Sequence, residues 1–253
     1  MNWLFVVLLL LLSSCAPQQI KNVDSLQSGS FAVSTADVPY FENIVGFLAN
    51  PTTPGSYPGV IMIHEWWGLN DNIRDMAKLL ASEGYVVLAV DLYEGKVATT
   101  SDEARKQTSE LNQTKATANM KAAAQYLREQ QRVTKLASLG WCFGGGQSLN
   151  LALSSEQLDA TIIYYGRLVT EEAQLTKITW PVLGVFGAED TGIPVSSVNA
   201  FDAALDKLNI NNEIYIYQGV GHAFANPSGM NYAPQETKDA WEKTVAFLEK
   251  HLQ

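Results

Sequence analysis

Cysteine is nearly absent, with Cys15 and Cys142 the only two in 253 residues, and histidine occurs only three times. So few ligands, at none of the customary spacings, speak against a zinc module or other metal site. Basic residues number 17 against 26 acidic ones, a net charge of -9, and no lysine and arginine cluster stands out. Phosphate backbones are bound by clustered cations, so a nucleic-acid partner is excluded. No repeat and no internal linker interrupts the chain. Its composition, 47% hydrophobic and 17% charged, is far from the disordered regime and supplies ample core for one large domain. Long apolar runs are missing as well. The only candidate, Trp3 to Leu12, is too short to span a bilayer of about 30 Å unaided.

That short run reads as the apolar stretch of a signal peptide. The residues after it, Leu12-Ser13-Ser14-Cys15, resemble the lipobox of bacterial lipoproteins, whose cysteine is acylated and becomes the mature N-terminus. Residues 1–14 are therefore expected to be a signal peptide, 15–38 a polar tether, and 39–253 the folded domain. The expectation is an exported monomer, lipid-anchored at Cys15 to a bacterial membrane and facing the periplasm or the cell surface. An ordinary cleaved signal peptide is the alternative. With Cys15 carrying lipid, Cys142 is the only thiol left, and a lone thiol in an oxidising compartment is a liability unless its chemistry is used.

From Pro39 onward, short apolar runs alternate with helical patterns, the signature of βαβ units and a mostly parallel sheet flanked by helices. GVIMIH from Gly59, YVVLAVD from Tyr85, LASLG ending at Gly140, ATIIYYG from Ala160, PVLGVFG from Pro181 and EIYIYQG from Glu213 read as strands. Apolar spacing at Ile73, Met76, Ala77, Leu80 and Ala81 predicts a helix over Asn70 to Ser82. One or two surface helices are expected between Asp102 and Gln130. Further helices are expected over Gln147 to Leu153, Val195 to Leu208 and Gln235 to Leu252.

The stretch GWCFGGG, Gly140 to Gly146, carries the thiol. A dinucleotide fingerprint needs glycine where Cys142 stands, and a P-loop needs a lysine that Gly145-Gly146-Gln147-Ser148 lacks. What remains is the pattern glycine, any, nucleophile, any, glycine: a sharp strand-to-helix turn whose small residues leave room around a strained nucleophile. Reactive groups collect at the carboxyl ends of parallel strands. That rule nominates Gly187-Ala188-Glu189-Asp190 after one strand and Gly219-Val220-Gly221-His222 after the next. The order nucleophile, acid, histidine is that of α/β-hydrolases. A free cysteine titrates near pH 8.5, so a neighbouring imidazole must take its proton, and a carboxylate must orient the imidazole. Glu189 and Asp190 both remain open for that role. The backbone N–H of Phe143, following the nucleophile, should receive the oxyanion together with a donor from the loop after GVIMIH.

That loop begins His64-Glu65-Trp66-Trp67-Gly68. HEWWG, GWCFGGG, GAED and GHAF, in this order and spacing, resemble the dienelactone hydrolase family of α/β-hydrolases, over roughly Pro39 to the C-terminus. The resemblance implies the α/β-hydrolase fold, a triad of Cys142, Asp190 and His222, and a glutamate, Glu65, that helps set the ionisation of the thiol. It implies a second oxyanion N–H from Trp66. It further implies hydrolysis of a small ester or lactone through a thioester acyl-enzyme, of the carboxymethylenebutenolidase type, without a cofactor. Where family members acting on dienelactone carry two arginines, this chain has Gly95 and Asn226, with Lys96 adjacent to the first. A lysine does not reproduce the bidentate grip of arginine on a carboxylate, so an altered substrate specificity is expected.

Each residue also has a plainer reading. Cysteines are commonly buried core, and its place in the turn argues otherwise for Cys142. His64 reads as structural, His251 as complementing a helix C-terminus. Of Trp66 and Trp67, one half is expected in the core and one in the pocket. Tyr164 and Tyr165 alternate across a strand, so one faces the site; Tyr93, Lys96, Tyr165 and Phe224 are the pocket candidates. Two rival functions use the same residues: a tethered ligand-binding protein that has lost turnover, and a thiol-based redox protein.

Overall fold

The computed structural model describes Leu26 and residues 29–253. The expected signal peptide, Cys15 and most of the expected tether lie outside the described residues.

An eight-stranded sheet forms the centre, in the order β1-β2-β4-β3-β5-β6-β7-β8. An antiparallel hairpin, β1 (Val33–Phe41) and β2 (Ile44–Pro51), leads in, and β2 pairs antiparallel with β4 (Val86–Val90). The remaining pairings, through β3 (Gly59–Ile63), β5 (Leu136–Trp141), β6 (Ala160–Tyr164), β7 (Val182–Gly187) and β8 (Asn212–Tyr217), are all parallel. Every residue of β3 to β7 is buried, which is why these strands are predominantly apolar and do not alternate; the polar exceptions, Ser138 and Thr161, are hydrogen-bonded to Ser148 Oγ and Trp180 Nε1. The predicted α/β-hydrolase architecture is the one observed.

Successive side chains of a strand point to opposite faces, and the two halves of the core follow that rule. Val60 and Met62 join one face with Ile73, Met76 and Leu80 of α1 (Asp71–Ser82) and Trp241, Phe247 and Leu248 of α7 (Pro234–Leu252). Ile61 and Ile63 join the other, with Met120 and Leu127 of α3 (Gln113–Gln130), Leu149 of α4 (Phe143–Leu153) and Phe201 and Leu205 of α6 (Val195–Lys207). Asn70 caps α1, its Oδ1 accepting from the Ile73 N–H at 3.2 Å. The stretch expected as one or two helices is two: α2 (Ser101–Ser109), opened by a Thr100–Glu103 capping box, and α3, capped by Asn112. A one-turn helix, α5 (Glu172–Leu175), was not foreseen.

The structure corrects the domain boundary. The folded part begins before Pro39: β1 starts at Val33, the Phe31 N–H donates to the Ser82 carbonyl at 3.0 Å, and the Gly29 N–H donates to Ser82 Oγ at 2.9 Å. Leu26 is buried in the core. Residues 29–38 are therefore packed onto the domain, not part of a free tether. They look polar because β1 is an edge strand with mostly exposed side chains, so its pairing is made by backbone and leaves little apolar signature.

Candidate active site

The carboxyl ends of β3, β5, β7 and β8 carry the residues singled out above. β5 delivers Cys142, which adopts φ 56° and ψ -117°, a conformation unfavourable for a residue with a side chain and costing about 1–3 kcal/mol. It is held from both sides: the Cys142 N–H donates to the Tyr164 carbonyl at 2.9 Å, and its own carbonyl accepts from the Gly146 N–H at 3.2 Å. The glycines around it answer to space. A Cβ on Gly140 would lie 2.1 Å from the Gly144 carbonyl oxygen, and one on Gly144 would lie 2.3 Å from that of Ile63. Helix α4 begins at Phe143 and not, as the sequence suggested, near Gln147: Gly144, Gly145 and Gly146 are helical residues, the first two with no room for a side chain. The Phe143 N–H thus lies in the first turn, among the donors a helix cannot satisfy internally, where the dipole favours negative charge.

His222, after β8, reaches back to the thiol. Its Nε2 is 3.0 Å from Cys142 Sγ and its Nδ1 is 2.7 Å from Asp190 Oδ2. Asp190 is 3% exposed, and its other oxygen accepts from the Gly192 and Ile193 N–H groups at 2.8 and 3.0 Å. Glu189 is exposed, so of the two carboxylates the fold brings Asp190 to the imidazole. Burial by itself would raise the Asp190 carboxyl, but the hydrogen bonds from His222 and the two N–H groups outweigh it and hold it below its usual range. For His222 burial works downward, yet the bonds to Asp190 and Cys142 and their charges push it up to about 10. The hydrogen bond to Asp190 is the largest of these raising influences, so the imidazole holds its proton well above its ordinary range.

Glu65 follows β3 and is 3% exposed. Burial raises its carboxyl to about 7, against the opposing influence of the His222 charge and a hydrogen bond from Asn226 Nδ2. Trp66 stands on the turn closed by the Gly68 N–H donating to the Glu65 carbonyl at 3.2 Å, its ring edge-on to Trp67 with centroids 5.0 Å apart. His64 is wholly buried and structural, as read: its Nε2 accepts from the Leu92 N–H at 3.1 Å, which leaves the ring proton on Nδ1 to donate to the Glu65 carbonyl at 2.5 Å.

The pocket candidates divide. Tyr165 is fully buried at φ 35°, its ring edge-on to His222 at 5.2 Å, and of the tyrosine pair it is the one against the histidine. Tyr164 is turned to α7, its hydroxyl donating to the Ala240 carbonyl at 2.9 Å. Phe224 is a correction: it is fully buried behind Tyr165 and Tyr217 and belongs to the core. Tyr93 packs its ring on Phe143 and His64, with centroids 5.4 and 4.8 Å apart. With Lys96, it lines a cavity of about 230 Å³ walled by α2 and α3, to which Cys142, Asp190 and His222 contribute nothing. Lys96 and Gly95 are exposed, and Gly95 serves a left-handed turn at φ 82° whose N–H donates to Asp91. Asn226 is buried, and its bond to Glu65 had no signal in the sequence, since the two are 161 residues apart. Among the described residues, no group of three or more His, Cys, Asp or Glu is arranged to hold a metal ion, and no helix is long and apolar enough to cross a membrane.

The sheet order and the residues gathered at its strand ends define an α/β-hydrolase. Residues 44–252 match the dienelactone hydrolase family, and the chain belongs to that family. It is 34% identical to a Saccharolobus solfataricus protein provisionally named carboxymethylenebutenolidase, over 82% of this chain and 94% of that one. It is 33% identical to the protein usf of Aquifex pyrophilus, over 82% of this chain and 93% of that one. Among solved structures, a provisionally named dienelactone hydrolase of Klebsiella pneumoniae superimposes with a TM-score of 0.77 at 27% identity, covering 88% of this chain and all of that one. The family makes the chain a hydrolase.

Proposed function

We propose that the chain hydrolyses a small carboxylic ester or lactone by covalent catalysis at Cys142, with a substrate preference altered from that of dienelactone-cleaving relatives. One observation carries the reading: a single imidazole, His222, bridges the sulfur and a buried carboxylate, at 3.0 and 2.7 Å. The sulfur attacks the carbonyl carbon, forming an S–C bond, and the oxyanion is received by the Phe143 and Trp66 N–H groups. His222 gives its proton to the departing alkoxide as the C–O bond breaks. A water then surrenders a proton to His222 and attacks the thioester, releasing the acid and the thiolate. Asp190 keeps the imidazole in the productive tautomer throughout. Gly95 and Asn226, neutral where those relatives carry arginine, support the altered specificity. The anchor at Cys15, export to a bacterial envelope and a monomeric state belong to the same proposal, the first two on the strength of the Leu12-Ser13-Ser14-Cys15 sequence.

The test is turnover of activated esters of graded acyl size and charge by the wild-type chain and by Cys142→Ala. The variant should lose about 10³-fold or more. Equal rates would end the proposal. An adduct on Cys142 that never decays would instead favour the binding-protein rival, and rapid peroxide consumption without esterase activity would favour the redox one.

A further inference from the structure

Asn226 spends its two polar ends on different partners. Its Oδ1 accepts from the Ser228 N–H at 2.9 Å and from Ser228 Oγ at 2.8 Å. A backbone N–H can only donate, so the oxygen must face Ser228, and the Nδ2 amide must face Glu65, to which it donates. The rest of the residue is tied into the loop that carries the histidine. The Asn226 N–H donates to the Ala223 carbonyl at 3.1 Å, the Asn226 carbonyl accepts from the Gly229 N–H at 3.0 Å, and Asn231 Nδ2 donates to the His222 carbonyl at 3.0 Å. Asn226 is thus the hub of the segment from His222 to Asn231. Its outward hydrogen bond runs to the buried Glu65 carboxylate, which follows β3.

We infer that Asn226, oriented by Ser228, is a positioning residue that fixes the Glu65 carboxylate beside the Cys142–His222 pair and ties the turn bearing Trp66 to the loop bearing the histidine. The inference rests on the reading of Cys142 and His222 given above and extends it to a residue that touches neither. Two groups act on the Glu65 carboxylate, the His222 charge and the Asn226 amide. Of these the amide is the one hydrogen-bonded to it, and it is uncharged, so it stabilises the carboxylate at any pH without supplying a counter-ion. A donor held in this way favours the ionised form, and burial opposes it. Removing the donor should make Glu65 hold its proton to higher pH. Replacing it by a carboxylate should do so more strongly, because two carboxylates in one buried site cannot both ionise freely.

The experiment follows the Glu65 side chain by carboxyl ¹³C NMR, assigned by difference from Glu65→Gln, together with the pH dependence of Cys142 alkylation by iodoacetamide and of ester hydrolysis. The variants are Asn226→Ala, Asn226→Asp, which keeps an oxygen for Ser228, and Ser228→Ala. Expected are an upward shift of the Glu65 midpoint by about one pH unit in Asn226→Ala, a larger one in Asn226→Asp and a smaller one in Ser228→Ala. The acid limb of alkylation should move in step. A midpoint unmoved in folded variants, judged by circular dichroism, overturns the inference. If the two Asn226 variants do not fold, Ser228→Ala decides alone. Because the NMR and alkylation readouts need no turnover, a shifted midpoint in a chain without esterase activity would sink the proposed function and leave the role of Asn226 standing.

Discussion

Asp190 faces His222 with one carboxylate oxygen, 2.7 Å from Nδ1, while its second oxygen is bound by the Gly192 and Ile193 N–H groups. The carboxylate is therefore aimed before any substrate arrives, and the histidine inherits that orientation. Asn in its place would retain the shape but lose the charge and invite the wrong tautomer. Asp190→Asn should lower kcat for an activated ester by about 10²- to 10⁴-fold with little change in KM, and steady-state kinetics will read it.

The same histidine makes stability depend on pH. Its folded value, about 10, lies above the ordinary 6.5. A group raised on folding contributes fully below its unfolded value and loses that contribution as pH climbs through the folded one. Thermal unfolding temperature should thus fall between about pH 6.5 and 10. In Cys142→Ala, where the sulfur's hydrogen bond and charge are gone, that fall should be shallower. Asp190 has the opposite sign: its contribution holds above the ordinary 3.8 and fades as pH drops through its lower folded value. Identical Tm profiles for the wild-type and Cys142→Ala chains would contradict the coupling between thiol and imidazole.

Gly144 tests whether the turn is a matter of room. The Cβ of Gly144→Ala would meet the carbonyl oxygens of Ile63 and His64 at 2.3 and 2.5 Å, backbone atoms of a central strand and of the residue that follows it. Backbone cannot swing aside as a side chain can, so urea denaturation should show a loss near the upper end of the usual 1–3 kcal/mol for overpacking, or more. Gly192, whose added Cβ would meet only Asp190 Oδ1 at 3.3 Å, is the milder comparison.

Truncation tests the corrected boundary. A chain beginning at Pro39 would discard Val33 to Val38, each paired in register with β2, and strip the sheet edge of that cover. It should be less stable than a chain beginning at Leu26 by about 2 kcal/mol or more, at roughly 0.5–1.5 kcal/mol per backbone hydrogen bond. Equal unfolding midpoints would restore residue 39 as the start of the folded part.

The parts of the fold legible in advance were those with a dense apolar signal. β3 to β7 are buried on both faces, so each is a largely apolar run, interrupted only by Ser138 in β5 and Thr161 in β6, and α1 shows its stripe because only one side touches the sheet. β1 was hidden because an edge strand is specified by pairing, and a pairing partner is not written in the strand's own residues. The start of α4 was hidden because glycine is a poor helix former, whereas Gly144 and Gly145 are helical residues kept as glycine because no side chain fits there. Phe224 was misplaced for a related reason: its neighbour in sequence is the histidine loop, but its neighbours in space are Tyr165 and Tyr217.

Sequence alone determined the family and the mostly parallel α/β sheet, and it nominated the candidate reactive groups, because strand-end motifs keep their order along the chain whatever the distances between them in space. Tertiary structure alone decided the distances at which Asp190 and Tyr165 stand against the imidazole, and that Asn226 answers to Glu65. Those are questions of direction and distance between loops up to 161 residues apart, and they are settled only when the sheet brings its strand ends to one edge.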